Sequence, residues 1–272
     1  KILKKYGIEV SFINYQNLEE LEATIKDNTA MIYIETPSNP LLKVSDIKAI
    51  VEIAKKHNIK TVADNTFMTA LYQKPLDLGC DIVIESLTKF VNGHSDVTAG
   101  CAVTNNEEIA NEICLLQKNF GGILGVEDAW LILRGMKTMG LRMEKSVENA
   151  KILTKFLETQ DKIKKVYYPN LTSCKFYDIH TEQASSGGAV FSFEFFEQDD
   201  LKTFLKKIKI PIYAISLGGV ESIISHPATM SHACMSEEER LAQGVTQTLL
   251  RFSCGVEDSE DLIEDLKQAL NN

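Results

Sequence analysis

Short apolar runs that stop abruptly at polar residues, with amphipathic stretches between them, recur through the first hundred residues. Met31 to Ile34 ends at Glu35-Thr36-Pro37-Ser38-Asn39-Pro40, Thr61 to Ala63 ends at Asp64, and Ile82 to Ile84 ends at Glu85-Ser86-Leu87-Thr88-Lys89. Between the first two, Ile47, Ile50, Val51 and Ala54 keep the spacing of one helical face, with Ser45 expected as the N-cap. Such strands alternating with amphipathic helices predict an α/β fold with a mostly parallel sheet covered on both faces. Ligands of such sheets bind beyond the carboxyl ends of the strands. Asn39, Asp64, Ser86, Thr88 and Lys89 all stand there and are candidates for chemistry.

The same patterns predict the rest of the chain. The alternation of Ile8, Val10 and Phe12 reads as a strand, and Asn17 with Glu20 three residues later reads as the start of a helix. A short helix closed by Gly79 is expected after Pro75, then a strand from Val97 to Thr104 and an acidic-headed helix. From Glu127 to Leu157 the sequence is proline-free and helix-rich, with an expected interruption at Gly140. At about 150 residues per domain, 272 residues suggest two domains. The expected division is a large domain over 1–137 and a smaller α/β domain over 138–272. In the second, Val190 to Phe195 reads as a strand, Leu201 to Ile208 as a helix, Gly219 to Ser225 as an edge strand and Leu262 to Leu270 as a terminal helix.

Composition narrows the function classes. With 44% hydrophobic and 25% charged residues the chain is globular in type, and 29 basic against 38 acidic residues leave a net charge of −9 without a dense basic stripe. Nucleic acid is not an expected partner. No apolar run reaches the roughly 18 residues of a membrane span, and the opening KILKKYGIEV lacks the pattern of a secretory signal, so a soluble cytoplasmic protein is expected. The six cysteines contain no C-x-x-C and read as reduced, mostly buried thiols, neither a zinc site nor a disulfide framework. His226 and His232, on either side of Pro227, read as local hydrogen-bonding residues.

The chain has no G-x-G-x-x-G, Walker A loop, G-x-S-x-G or H-E-x-x-H. What remains is a lysine beside two hydroxyl residues at one strand end, an aspartate at a neighbouring strand end, and Arg251 far downstream in Leu249-Leu250-Arg251-Phe252-Ser253. This set suits pyridoxal phosphate: an imine-forming lysine for the aldehyde, hydroxyls for the phosphate, and a carboxylate that keeps the pyridine nitrogen protonated. By spacing alone the commoner reading, solvated loop residues and helix caps, stands beside it.

Longer motifs add a resemblance. Ser86-Leu87-Thr88-Lys89-Phe90-Val91-Asn92-Gly93-His94-Ser95-Asp96 resembles the cofactor-lysine signature of the Cys/Met-metabolism pyridoxal-phosphate enzymes, the trans-sulfuration family. Glu35-Thr36-Pro37-Ser38-Asn39-Pro40, Val62-Ala63-Asp64-Asn65-Thr66-Phe67, Ala129-Trp130-Leu131-Ile132-Leu133-Arg134-Gly135 and Ser216-Leu217-Gly218-Gly219-Val220-Glu221-Ser222 are similar to the family in order and spacing. The resemblance implies fold type I of the pyridoxal-phosphate enzymes and a homo-oligomer, usually a dimer of dimers. It implies Lys89 as the cofactor lysine, Asp64 on the pyridine nitrogen, Ser86 and Thr88 on the phosphate, and Asn39 near the ring hydroxyl. Arg251 and Ser216 would face the substrate carboxylate, and Glu35 is expected to be structural.

Three departures qualify the expectation. The family has a longer amino end, which carries a ring-stacking tyrosine, phosphate-binding amides and a Tyr/Arg pair for the neighbour's site; the chain opens without Met and reads as truncated, so weak cofactor binding and poor turnover are expected. Ile215 stands where several members with cystathionine specificity carry an acidic residue, which shifts weight slightly toward methionine or homocysteine. Glu85 replaces the histidine common before the serine, without an assigned consequence. The expected activity is γ- or β-elimination by a carbon–sulfur lyase. A γ-replacement enzyme joining an activated homoserine to cysteine or sulfide is the alternative, and a catalytically incomplete folded or assembly module the alternative of another class.

Overall fold

Residues 3–271 are described by the structure, a computed structural model, whose strands gather into two sheets. Helix α1 (Leu18–Thr24), capped by the Asn17 side chain, precedes β1 (Met31–Glu35), and α2 (Ile47–Lys56) carries the chain to β2 (Lys60–Asp64). The short α3 (Thr69–Tyr72) then leads to β3 (Ile82–Glu85) and β4 (Cys101–Val103). The first sheet has the order β1-β2-β3-β4, with the first three strands parallel and β4 antiparallel. Alternation along β1 buries Ile32 and Ile34 under α2, where Ile50, Ile53 and Ala54 complete the cluster.

Helices α4 (Glu107–Phe120), α5 (Val126–Met136) and α6 (Met139–Leu157) connect this sheet to β5 (Ile163–Tyr167). After α7 (Tyr177–Gln183), β6 (Val190–Phe195), α8 (Gln198–Lys207), β7 (Ile212–Tyr213), β8 (Ile223–Ser225), α9 (Glu237–Gln243), β9 (Leu249–Ser253) and α10 (Ser259–Leu270) complete the chain. The second sheet has the order β5-β6-β9-β8-β7 and is antiparallel except between β7 and β8.

Every residue of β6 is buried, so both of its faces are covered. Phe191, Phe193 and Phe195 point one way into a core shared with Phe204 of α8, Phe252 of β9 and Leu262 and Leu266 of α10. Phe191 stacks on Phe252 at 5.1 Å between centroids, and Phe193 meets Phe204 edge-on at 5.9 Å. The opposite face turns toward the first sheet: Val190 packs in a cluster with Phe67, Phe90, Met143 and Val147, and Ser192 Oγ donates to the Pro40 carbonyl at 2.6 Å. Arg251 pairs with Ser192 in register and therefore shares that inward face.

Several expectations need correction. Ile8, Val10 and Phe12 form no strand; they are exposed, and alternation without a partner strand does not make a ladder. The N-cap of α2 is Asp46, whose side chain accepts from Ala49 N at 3.0 Å, while the buried Ser45 donates its N–H to Thr36 Oγ1. Pro75 to Gly79 makes consecutive turns, not a helix. The strand expected from Val97 shortens to Cys101–Val103, because Ala99 is paired with Thr88, through both the Thr88 backbone N–H and its hydroxyl. The break between α5 and α6 falls at Lys137 and Thr138, and Gly140 lies within α6. β8 is an internal strand, with β7 at the edge. Only Cys80 and Cys254 of the six free cysteines are buried, since the others fall on strand edges, exposed helix faces and loops.

Candidate active site

The carboxyl ends of β1, β2 and β3 lie side by side, and each contributes a polar group. Asp64, the last residue of β2, accepts from the Thr66 N–H through Oδ1 at 3.0 Å and from the Tyr33 hydroxyl through Oδ2 at 3.0 Å. Thr66 Oγ1 in turn accepts from the Ser86 N–H at 2.9 Å, which ties the end of β2 to the turn after β3. Ser86 opens that turn, Leu87–Val91, but its side chain makes no capping hydrogen bond. Thr88 Oγ1 donates to the Ala99 carbonyl at 3.2 Å and accepts from the Ala99 N–H at 2.9 Å.

Lys89 departs from helical geometry in the middle of this turn, with φ −94° and ψ −134°. Its ammonium nitrogen donates to Ser216 Oγ at 2.8 Å. Ser216 lies before the Leu217-Gly218-Gly219 turn of the second half of the chain. Gly218 has φ +79°, and a Cβ there would stand 2.7 Å from the Phe90 nitrogen, so a side chain would push the two segments apart. The Gly218 N–H is held by Ser253 Oγ at 2.9 Å.

Arg251 closes the site from β9. It donates through Nη1 to Asn39 Oδ1 at 3.0 Å and through Nη2 to the Ser216 carbonyl at 2.5 Å. Among the described residues its buried Nε has no hydrogen-bond partner. Burial lowers the guanidinium to about 10, with Glu35 opposing the shift. Burial and then the Arg251 charge likewise lower the Lys89 amine below its usual range. Glu35 is in register with Asp64 on the adjacent strand end. It is open to solvent on one side, yet the protein around it and then the Asp64 charge push its carboxyl up to about 7, against the pull of the Asn39 backbone and Arg251.

The structure thus brings Lys89, Ser216, Arg251 and Asn39 into one hydrogen-bonded line across the two sheets, with Asp64, Ser86 and Thr88 beside it at the strand ends. Ile215 lies at the rim, 69% exposed, and lines a cavity of about 430 Å³ with Thr88, Ser95, Asp96, Ser216 and Glu221. Beneath the strand ends runs a buried amide network: Asn65 Nδ2 donates to Glu85 Oε1 at 3.0 Å, Gln73 Nε2 to Asn65 Oδ1 at 3.0 Å and to the Thr36 carbonyl at 2.8 Å. Glu85, the substitution without an assigned consequence, is the terminal acceptor of this network. Tyr33 and Thr66 also escaped sequence reasoning. The alternation of β1, which puts Tyr33 and Glu35 on one face, is the signal that leads to the first.

The groups fit pyridoxal phosphate. An amine of lowered basicity, a carboxylate at a neighbouring strand end, a hydroxyl free of capping duty and a buried guanidinium N–H without an acceptor form the donor and acceptor set that cofactor and an amino-acid carboxylate require. Thr88 fits with a rotation, because its single hydroxyl proton is given to Ala99 here.

Comparison with known proteins bears on the same chemistry. The family model for the Cys/Met metabolism PLP-dependent enzymes matches residues 1–271. The chain is 47% identical over 270 residues to the cystathionine beta-lyase MetC of Bacillus subtilis, covering 99% of this chain and 69% of that protein. It is 44% identical over 272 residues to the cystathionine gamma-lyase of the same organism, covering 100% and 72%. The crystal structure of cystathionine gamma-lyase from Lactobacillus plantarum complexed with L-serine superimposes with a TM-score of 0.96 at 38% identity, covering 98% of this chain and 70% of that one. The chain belongs to the Cys/Met metabolism PLP-dependent enzymes, and pyridoxal phosphate is its cofactor.

Proposed function

We propose that this protein is a carbon–sulfur lyase of sulfur amino-acid metabolism, eliminating a sulfur group from the γ or β carbon of cystathionine, methionine or homocysteine. The observation that carries the reading is the line from Lys89 through Ser216 and Arg251 to Asn39, which sets a base and a carboxylate-binding fork on one side of the strand ends. The names of the two Bacillus subtilis relatives support the same class.

When bound, pyridoxal phosphate supplies an electron-accepting ring that makes the Cα proton of an attached amino acid acidic. Asp64 holds the proton of the ring nitrogen. Ser86 and, after rotation of its hydroxyl away from Ala99, Thr88 would donate to the phosphate, and Asn39, whose Oδ1 is taken by Arg251, would offer its Nδ2 protons to the ring hydroxyl. Arg251 grips the substrate carboxylate, its unpartnered Nε supplying one donor, and so fixes which bond at Cα breaks. Lys89 Nζ removes the Cα proton and, in γ-elimination, serves again at Cβ; its lowered basicity raises the neutral fraction available for that work. Ser216 Oγ orients this nitrogen. The exposed aliphatic Ile215 makes no ionic contact with a distal amino group and favours short thioether or thiol substrates.

We place the protein in the cytoplasm and read it as a homo-oligomer, a dimer of dimers, with a large domain over 1–137 and a smaller one over 138–272. Six free thiols suit a reducing compartment. No helix among the described residues is long and apolar enough to cross a membrane. Leu116, Phe120, Ile123, Val126, Trp130 and Leu133 form an exposed apolar series on α4, α5 and the segment between them, of the kind that subunit contacts cover.

Pyridoxal phosphate titration followed by borohydride reduction and peptide mapping tests the cofactor site; label on Lys89 is expected, and scattered or absent label would leave a folded module without a working site. Oxo-acid release from the three sulfur amino acids is then expected. Cystathionine formation from an activated homoserine and cysteine, without oxo-acid release, would instead establish γ-replacement.

A further inference from the structure

The turn that carries Lys89 is short, and backbone N–H groups and one distant side chain hold four of its five carbonyls. Ser86 O accepts from Lys89 N at 3.1 Å, Leu87 O from Asn92 N at 3.1 Å, and Lys89 O from Gly93 N at 2.7 Å. The carbonyls of Phe90 and Val91 are the last of the turn, where a helix end ordinarily leaves its acceptors without partners. Both are taken by one side chain from another element. Arg142 of α6 donates through Nη1 to Phe90 O at 2.8 Å and through Nη2 to Val91 O at 3.1 Å. The same guanidinium donates through Nη2 to the Gly135 carbonyl at 2.9 Å and through Nε to Thr138 Oγ1 at 3.1 Å.

Arg142 is 8% exposed and, among the described residues, forms no ion pair. Burial of a guanidinium without a carboxylate is costly and lowers its basicity. A residue needed only to fill space under Phe90 would be apolar, and only the planar fork of arginine reaches all four acceptors at once. Gly93 makes room for it: with φ +76°, a Cβ at this position would overlap the guanidinium itself.

We propose that Arg142 is a positioning residue for Lys89, its guanidinium serving as the C-terminal cap that fixes the kinked turn Leu87–Val91 and aims the lysine at Ser216. This rests on the reading of Lys89 as the cofactor lysine. The clamp acts on the two residues directly after Lys89, and the same guanidinium ties them to the Gly135 carbonyl of α5 and to Thr138, the N-cap of α6.

The test compares two ligands on the whole chain. Pyridoxal phosphate joins Lys89 by condensing its aldehyde with the amine and losing water; pyridoxamine phosphate carries an amine in place of the aldehyde and cannot. Arg142→Met is expected to weaken pyridoxal phosphate by about tenfold or more while leaving pyridoxamine phosphate within about twofold. Competitive labelling with acetic anhydride, which needs no cofactor, is expected to show the pH midpoint of Lys89 moving up toward that of the surface lysines. Equal weakening of both ligands, or a labelling midpoint that does not move, would overturn the proposal. Arg142→Lys, which keeps the charge and loses the fork, is expected to give the same signature in smaller measure if the methionine variant does not fold. If the unaltered chain binds neither ligand, the cofactor reading of Lys89 fails, and the labelling midpoint still decides the role of Arg142.

Discussion

Arg251 spends two of its three nitrogens inside the protein, on Asn39 Oδ1 and the Ser216 carbonyl, and keeps Nε buried without a partner. A lysine there would present one point charge in place of a fork. Arg251→Lys is expected to raise KM for amino-acid substrates by about ten- to a hundredfold, the worth of one to two charged hydrogen bonds, with a smaller change in kcat. Steady-state kinetics check this, and an amine substrate without a carboxylate should be insensitive. Glu35 carries a consequence for stability. Its carboxyl is raised from 4.5 to about 7 by burial and by Asp64, so the folded chain holds this proton more tightly than the unfolded one. The group's contribution to stability is therefore whole below about pH 4.5 and is lost as pH climbs toward about 7, with no further change above. Glu35→Gln removes that loss: chemical denaturation at pH 5 and pH 8 should show a smaller fall in midpoint for the variant than for the unaltered chain. The places of Asp64 at the end of β2 and of Lys89 in the turn after β3 were legible from the apolar runs that precede them. The proton-holding environment of Glu35 was not, because it comes first from the protein packed around it and then from Asp64, 29 residues away, which strand register puts beside it.

Among the elements, β6 and α10 were legible because their patterns are complete. β6 alternates over six residues with a phenylalanine at every second position, and α10 keeps its apolar face over three turns. Phe204 of α8 touches both Phe193 and Phe195 and is fully buried. Phe204→Ala is expected to cost about 3–5 kcal/mol, read as a lower urea midpoint with an unchanged slope. The less legible elements are those whose extent is decided by what they meet. β4 is three residues long because Ala99, which could have extended it, is bound to Thr88. β7 has two exposed residues and becomes a strand only through its pairing with β8. Ile8 to Phe12 shows the converse, an alternation with the right composition and no ladder.

At the scale of the molecule, the exposed apolar series running from α4 into α5 is a feature that a single chain leaves unexplained. Val126 is 89% and Phe120 86% exposed, at the point where α4 ends and α5 begins. Val126→Asp with Trp130→Asp is expected to shift the protein toward monomer in sedimentation velocity while circular dichroism still shows a folded chain, because neither side chain is part of the core of one chain; the melting temperature falls only by the lost subunit association. Unchanged sedimentation would remove this face from the proposed assembly.

Local chemistry in the sequence was enough for the α/β class, the strand ends and the motif around Lys89, since each depends on residues within a few positions of one another. The tertiary structure alone decided that Arg251 reaches Asn39 across 212 positions and Lys89 reaches Ser216 across 127, that Glu85 ends a buried amide network, and that Arg142 caps the turn of Lys89. Those contacts are made between elements whose approach depends on sheet order, register and the packing of α6, and periodicity along the chain carries no record of which face will meet which.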